Sequence, residues 1–309
     1  MFWHGNTCQL FNSRCFVNLL FILCMSTCSR LVKADGEGGK VIGGRDAMRG
    51  EFPATVVLSG AKRCGGTIIS LSKIISAARC FFVDAKPVAS VNVIVTAGVV
   101  NLQTKTPEKQ ETHLEKYHVH EKYKSVKETY TVSTLYDVAV GHLKTPFYNS
   151  EVVKPAVLPA DDWEGMKKIM NEINATNAVC LATGFGGITA DSQRVDSDVL
   201  KVVEVYMAPD KVCDVVDDMV GHEICASSPQ DGGRTTPGDT GSSFLCGGYI
   251  IGMVKGRVKL IQDGKDVHFM AFTLFGPYME YFELGDMGST FQLHPAIFLF
   301  MLFISFCWP

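Results

Sequence analysis

The sequence has no surplus of charge of either sign and no run of basic residues. Its 29 lysines and arginines nearly balance 32 aspartates and glutamates, which gives 309 residues a formal net charge of -3. Proteins that bind nucleic acid attract phosphates with clustered cations. No nucleic-acid partner is therefore expected, and the sequence favours proteins as partners.

Apolar runs of about 20 residues, the length that crosses a bilayer as a helix, are also missing. The run "CFVNLLFILCM" (15–25) follows Arg14 and precedes small residues, the pattern of a cleavable secretion signal. Cleavage after Ser29 and cleavage after Ala34 both fit; a buried N-terminal helix is the alternative, although the run lacks helical polar periodicity. We predict a signal peptide over 1–34, a short propeptide over 35–40, and secretion.

The opposite end carries a second short apolar run, "PAIFLFMLFISFCWP" (295–309), with no charge in it or after it. The small residues of "LGDMGST" and an uncharged spacer precede it. Together they resemble the signal for a glycosylphosphatidylinositol (GPI) anchor, in which Asp286 or Gly288 would carry the lipid. A retained membrane tail and a buried tail remain alternatives for residues 284–309.

Closely spaced CxxC pairs are absent, so no zinc site is predicted, and no other metal or cofactor either. Of the 11 cysteines, five fall within the predicted signal and tail. Six remain in the body of the chain: Cys64, Cys80, Cys180, Cys213, Cys225 and Cys246. An even number in a secreted chain predicts three disulfides, but six cysteines allow 15 pairings and spacing does not choose one.

Long helical patterns are few, and short apolar runs separated by turn residues predict an all-β sandwich or barrel. These runs are 54–58, 66–70, 73–78, 91–98, 137–143, 199–207 and 247–254. Short helices are predicted at 209–219 and 277–283. The proline-flanked stretch 152–163 is predicted to link two halves.

Seven motifs occur in an order that resembles the trypsin-like, chymotrypsin-fold serine proteases. They are "VIGG" (41–44), "EFPATVVL" (51–58), "CGGTIIS" (64–70), "ISAARC" (75–80), "DVAV" (137–140), "CLATGFG" (180–186) and "GDTGSS" (238–243). The resemblance implies a domain over 41–283, built of two six-stranded antiparallel β-barrels, about 41–155 and 156–283, with a cleft between them and a short C-terminal helix. It also implies the disulfides Cys64–Cys80, Cys180–Cys246 and Cys213–Cys225.

The resemblance places Arg79, Asp137 and Thr240 at the positions of the catalytic histidine, aspartate and serine. A general base must accept a proton and return it, whereas arginine stays protonated and has no acceptor lone pair. We therefore predict no peptidase activity. We also predict that Arg79 pairs with Asp137, the alternative being an arginine that points into solvent.

A rescued enzyme, in which another histidine serves as the base, is the competing interpretation. Its candidates are His113, His118, His120 and His142, which the resemblance places on outer strands. Hydrogen-bonded or solvated histidines are the simpler interpretation of all four.

The specificity pocket also departs from the family, because Arg234 stands at its floor where trypsins carry an acid. Thr236 replaces a cysteine, and "VKG" (254–256) replaces the segment that pairs with the substrate backbone. A remodelled, anion-binding pocket and an exposed Arg234 on a loose loop are both open.

Other parts of the machinery match the family. Gly238 and the backbone of Thr240 match the oxyanion hole, and Asp239 matches the acid that pairs with a new N-terminus after activation. Cleavage after Lys40 would free the Val41 amine for this pairing. The predicted result is a conformational switch without catalysis; the alternative is that these residues persist only for packing.

The sequence "NAT" (174–176) makes Asn174 a candidate N-glycosylation site, which we predict to lie in a loop before Cys180. The preferred hypothesis is a secreted or GPI-anchored, inactive serine protease homologue. It would act as a cofactor, decoy or scaffold by binding extracellular proteases, inhibitors or receptors. A weak or divergent trypsin-like endopeptidase and a membrane-tethered adhesion module are the alternatives.

Overall fold

The computed structural model describes residues 44–127, 132–187, 195–208, 222–229, 233–262 and 265–282. The predicted signal peptide, propeptide and C-terminal tail lie outside the described residues, as do Lys40, Val41, Cys213 and the predicted helix at 209–219. These predictions are therefore untested.

Strands make up most of the ordered elements. In chain order they are β1 (Arg45–Asp46), β2 (Thr55–Gly60), β3 (Cys64–Ser70), β4 (Lys73–Ser76), β5 (Phe82–Val83), β6 (Lys86–Pro87), β7 (Val93–Ala97), β8 (Gln110–Val119), β9 (Lys124–Lys127), β10 (Val132–Leu135), β11 (Ala139–Leu143), β12 (Cys180–Gly184), β13 (Lys201–Met207), β14 (Glu223–Ser227), β15 (Ser243–Cys246), β16 (Tyr249–Gln262) and β17 (Lys265–Leu274). Each of the seven predicted strand segments overlaps one of these strands.

The N-terminal half closes into a barrel with the strand order β11-β4-β3-β2-β7-β8, all neighbours being antiparallel. Its core is built by β-branched and aliphatic side chains, among them the fully buried Val56, Ile68, Ile74 and Val95. β-Branched residues suit this role because they pack well on a pleated surface.

The second barrel has the order β13-β12-β15-β16-β17-β14 and closes through the pairing of β14 with β13, while β1 adds to the outer edge of β13. Phe244 and Phe272 stack in its core with ring centroids 3.9 Å apart. The predicted pair of six-stranded antiparallel barrels is thus confirmed.

One helix of 13 residues, α1 (Trp163–Ala175), was not predicted. Asp162 caps its N-terminus by accepting a hydrogen bond from the Gly165 N–H at 2.7 Å, an arrangement that satisfies one of the unpaired donors of a first helical turn. Asn174, predicted to lie in a loop, is exposed on the last turn of α1.

Within the predicted helix over 277–283, the described residues form a 3-10 turn, Gly276–Tyr278, in place of a longer helix, and residue 283 lies outside the described residues. Gly276 is pressed against α1, since a Cβ there would lie 2.2 Å from the Trp163 ring. None of the helices in the described part of the chain has the length and hydropathy that a membrane span needs.

Two of the three implied disulfides are present, Cys64–Cys80 and Cys180–Cys246. Cys225 is also disulfide-bonded, and its implied partner Cys213 lies outside the described residues. The first bridge ties the start of β3 to the turn after β4, and the second joins facing residues of β12 and β15.

Candidate functional site

Arg79 lies on a 3-10 turn, Ala78–Phe81, that directly follows β4. The disulfide of the neighbouring Cys80 to Cys64 holds this turn against β3. Asp137 lies just before β11, which pairs with β4. The strand pairing therefore brings the two residues together although 58 positions separate them.

The predicted pair of Arg79 and Asp137 forms. The guanidinium Nε donates to Oδ2 of Asp137 at 2.5 Å, and the Arg79 backbone N–H donates to Oδ1 at 2.8 Å. The Thr134 hydroxyl also donates to Oδ2, at 3.2 Å. The Asp137 carboxylate is fully buried, and the Arg79 side chain is 24% exposed. The three donors therefore replace the hydrogen bonds to water that the carboxylate loses on burial.

The chemistry of the guanidinium limits the proton transfers that this pair can carry out. A guanidinium offers donors only and stays charged at any physiological pH. Arg79 can orient an acceptor or attract an anion, but it cannot take a proton from a hydroxyl.

Thr240 lies in the turn before β15. Its hydroxyl is 3.5 Å from the Lys255 carbonyl oxygen, and its own carbonyl accepts the Gly65 N–H at 2.8 Å. Gly238 has φ of 104°, a backbone conformation that glycine adopts without strain. The turn is therefore tied to β3 of the first barrel.

Asp239 points away from solvent. Its Oδ1 accepts the Gly186 N–H at 2.7 Å and its Oδ2 accepts the Thr236 N–H at 2.6 Å. Thr236, the residue that replaces a cysteine, also donates its hydroxyl to Oδ2 at 3.0 Å and to the Gly187 carbonyl at 2.9 Å. Hydrogen bonds thus hold the segment around Thr236 and Asp239 in place. The role of Asp239 in activation stays a prediction.

A cleft of about 350 Å³ brings these residues together. It is lined by Lys62, Arg63, Cys64, Arg79, Thr235, Thr236, Pro237, Gly238, Thr240, Lys255, Gly256 and Arg257. Arg234, predicted at the pocket floor, is half-buried beside Thr235 and is not among the residues of this lining. Its Nε is buried without a hydrogen-bond partner in the described part of the chain, which does not fit a loose exposed loop.

A model of the trypsin family, described as "Trypsin", matches residues 41–271, about three quarters of the chain. The chain belongs to the trypsin family. Among curated proteins, ovochymase-2 of Mus musculus is 26% identical over 215 residues, which are 67% of this chain and 32% of that protein. The chain thus spans about a third of the length of this relative.

This trypsin-family chain carries a second buried ion pair beside the cleft, which sequence reasoning missed. Lys255 on β16 donates to Oε2 of Glu223 on β14 at 2.6 Å, with side-chain exposures of 10% and 0%. Oε1 of Glu223 is buried and has no hydrogen-bond partner within the described ranges. The charged Lys255 in "VKG" was the available signal, because a lysine on a barrel strand needs an acidic partner.

Burial raises the pKa of Glu223 from 4.5 to about 7, and the neighbouring Lys255 ammonium offsets only part of this rise. Desolvation disfavours the charged carboxylate more than one lysine favours it. Glu223 therefore titrates near neutral pH.

Titration of Glu223 predicts a pH dependence of stability. The folded state binds a proton that the unfolded state has already lost, so the contribution of Glu223 is fully present below pH 4.5 and is lost as pH rises to about 7. At about 1.4 kcal/mol per pKa unit, the free energy of unfolding should fall by about 3 kcal/mol over this range. Denaturant unfolding of the wild type and of Glu223→Gln across this pH range measures the fall in the free energy of unfolding. Parallel pH profiles of the two proteins would contradict the prediction.

The four histidines considered as rescuing bases lie elsewhere. His118 and His142 form an edge-on pair with centroids 5.5 Å apart, and His113 Nδ1 lies 2.7 Å from the Val91 carbonyl oxygen. His120 stacks on Tyr136, and burial lowers its pKa. None of the four lines the trypsin-family cleft.

Proposed function

We propose that this chain is a secreted serine protease homologue that binds other extracellular proteins and does not cut them. The observation that carries the proposal is the position of Arg79, whose Nε lies 2.5 Å from Asp137. A proton acceptor would have to stand at this place, and a permanent cation occupies it.

The lining of the cleft also supports a non-enzymatic role. No described histidine lines the cleft, so no imidazole of the described residues lies beside the Thr240 hydroxyl. An unactivated hydroxyl is a weak nucleophile. Loss of a catalytic triad lowers turnover by about 10⁶-fold.

Secretion is part of the proposal. The N-terminal apolar run supports it, and so do the disulfides, because disulfides persist in oxidising compartments. Membrane attachment through a lipid at the C-terminal tail, glycosylation at Asn174 and a switch triggered by cleavage after Lys40 belong to the same proposal.

Covalent labelling tests the proposal. An active-site phosphonate reacts with an activated hydroxyl, and intact-mass spectrometry detects the adduct. We expect no adduct on the secreted chain, either before or after cleavage at Lys40, whereas trypsin in the same buffer is labelled. An adduct that disappears in Thr240→Ala would favour the divergent endopeptidase.

A further inference from the structure

Basic side chains are the only charged ones among the described residues that line the cleft, although the whole chain is slightly acidic. Five of its lining residues are basic, Lys62, Arg63, Arg79, Lys255 and Arg257, and no acidic residue lines it within the described ranges. A concave surface lined by charge of one sign concentrates ions of the opposite sign.

The acids that balance part of this charge lie outside the lining. Asp137 and Glu223 are fully buried beneath Arg79 and Lys255. Arg79 binds Asp137 through Nε, and its two Nη groups have no hydrogen-bond acceptor in the described structure. A 24% exposed guanidinium with two unused donors is suited to a carboxylate that enters from solvent.

Arg257 also contributes positive charge to the cleft. Its side chain is exposed, and it is part of the same lining as Arg79. Arg63 lies 3.6 Å from both Asp196 and Asp198 and donates to the Ser197 carbonyl oxygen at 2.9 Å. The guanidinium groups that can contact a ligand in the cleft are therefore those of Arg79 and Arg257.

Backbone donors add to these side chains. The N–H groups of Gly238 and Thr240 have no acceptor among the described residues, and both residues line the cleft. Unpaired N–H groups in a tight turn are favourable contacts for an anion.

An unpaired strand edge decides in favour of a peptide as the ligand. β16 pairs with β15 through Tyr249–Met253 and with β17 through Gly252–Gln262. Beyond Val254 it therefore has a strand partner on one side only, within the described structure, where Lys255 and Gly256 line the cleft. Such an edge pairs with the backbone of an extended peptide, as the corresponding segment does with substrates in the trypsin family, and a sulfated polysaccharide has no such backbone. What this chain adds is the cationic lining beside the edge.

We propose that the cleft holds an extended acidic peptide segment of a partner protein. Its backbone pairs with the edge of β16, and its side-chain carboxylates bind Arg79 and Arg257. This inference rests on the proposed function, because a chain that cut such a segment would not retain it.

Binding of a dye-labelled peptide with a run of glutamates, followed by fluorescence anisotropy on the full secreted chain, tests the proposal. The matched peptide has glutamine at each glutamate. We expect the glutamate peptide to bind at least about tenfold more tightly, since hydrogen bonds between charged groups are the strong ones. We also expect added salt to weaken its binding.

Arg257→Gln should weaken binding of the glutamate peptide by about tenfold. The matched control is Lys116→Gln, which removes an exposed cation on β8, outside the cleft. This control should stay within about twofold of wild type. Circular dichroism of both variants checks folding, and the comparison of the two peptides on wild type does not depend on any variant.

Equal binding of the two peptides would overturn the proposal. So would binding of a heparin oligosaccharide that Arg257→Gln abolishes, if the glutamate peptide itself does not bind. Mass spectrometry of the recovered peptide separates the two levels of the account. An intact, unbound peptide contradicts only the acidic-peptide site, whereas a peptide cut by wild type but not by Thr240→Ala contradicts the proposed function.

Discussion

Arg79→Met is expected to lower the free energy of unfolding by about 3–5 kcal/mol. The substitution leaves the Asp137 carboxylate fully buried with only the Arg79 N–H and the Thr134 hydroxyl as donors. An uncompensated buried charge is the costly outcome when one partner of an ion pair is removed. Guanidinium unfolding at neutral pH measures the loss.

Substitution of the other partner, Asp137, separates the effect of burying a charge from the effect of the ion pair itself. Asp137→Asn should cost less, about 1–3 kcal/mol, because the Arg79 side chain is 24% exposed and can turn toward water. The matched control is Arg49→Met, which breaks the exposed pair of Arg49 with Glu108 and should change the stability far less, because water screens an exposed pair. Equal losses for Arg79→Met and Arg49→Met would show that burial of Asp137 does not govern the pair.

Removal of the Cys180–Cys246 bridge is the second large effect. The double variant Cys180→Ala, Cys246→Ala frees a loop closed over a sequence separation of 66 residues, and the chain-entropy relation gives a loss of about 4 kcal/mol. Both cysteines are also buried in the core of the second barrel, so the alanines leave unfilled space. Thermal and denaturant unfolding of the variant under non-reducing conditions measure this loss.

Removal of the Cys64–Cys80 bridge provides a comparison within the same protein for the loss caused by removing Cys180–Cys246. It closes a separation of only 16 residues, for which the same relation gives about 3 kcal/mol. Removing both of its cysteines should therefore destabilise the chain less than removing Cys180 and Cys246. The reverse order would argue that local packing, and not loop length, sets the contribution of each bridge.

Much of the fold was predictable because motif order and strand periodicity agreed. Runs such as 54–58 and 199–207 became β2 and β13, and two disulfides follow the resemblance. The strand β8 was missed although Thr112 and Leu114 are buried between exposed neighbours, since charged residues dilute its alternation. Pairing on both sides, with β7 and β11, stabilises it as a strand.

The helix α1 was not predicted from the sequence because its composition gives a weak helical signal. Gly165, Asn171 and Asn174 weaken its propensity, and prolines precede it. The usable signals were Asp162 as an N-cap and apolar residues at Trp163, Met166, Met170 and Ile173 with helical spacing. Packing of these side chains on the body of the fold outweighs propensity.

At the site, an ion pair was predictable when one of its residues belonged to a recognised sequence motif. An ion pair between residues outside such motifs was not. The pairing of Arg79 with Asp137 follows because a carboxylate that has lost its histidine needs another cation. The pairing of Lys255 with Glu223 joins strands β16 and β14, which only the closed barrel brings together. Arg257 likewise became relevant only when the fold placed it in one cleft with Arg79.

Peptide turnover by the Lys40-cleaved chain tests the central claim most directly. A mixed fluorogenic peptide library should be hydrolysed at the same background rate by the wild-type chain, by Thr240→Ala and by buffer, because a guanidinium stands where a proton must be accepted. Turnover well above that background, abolished in Thr240→Ala, would contradict the account.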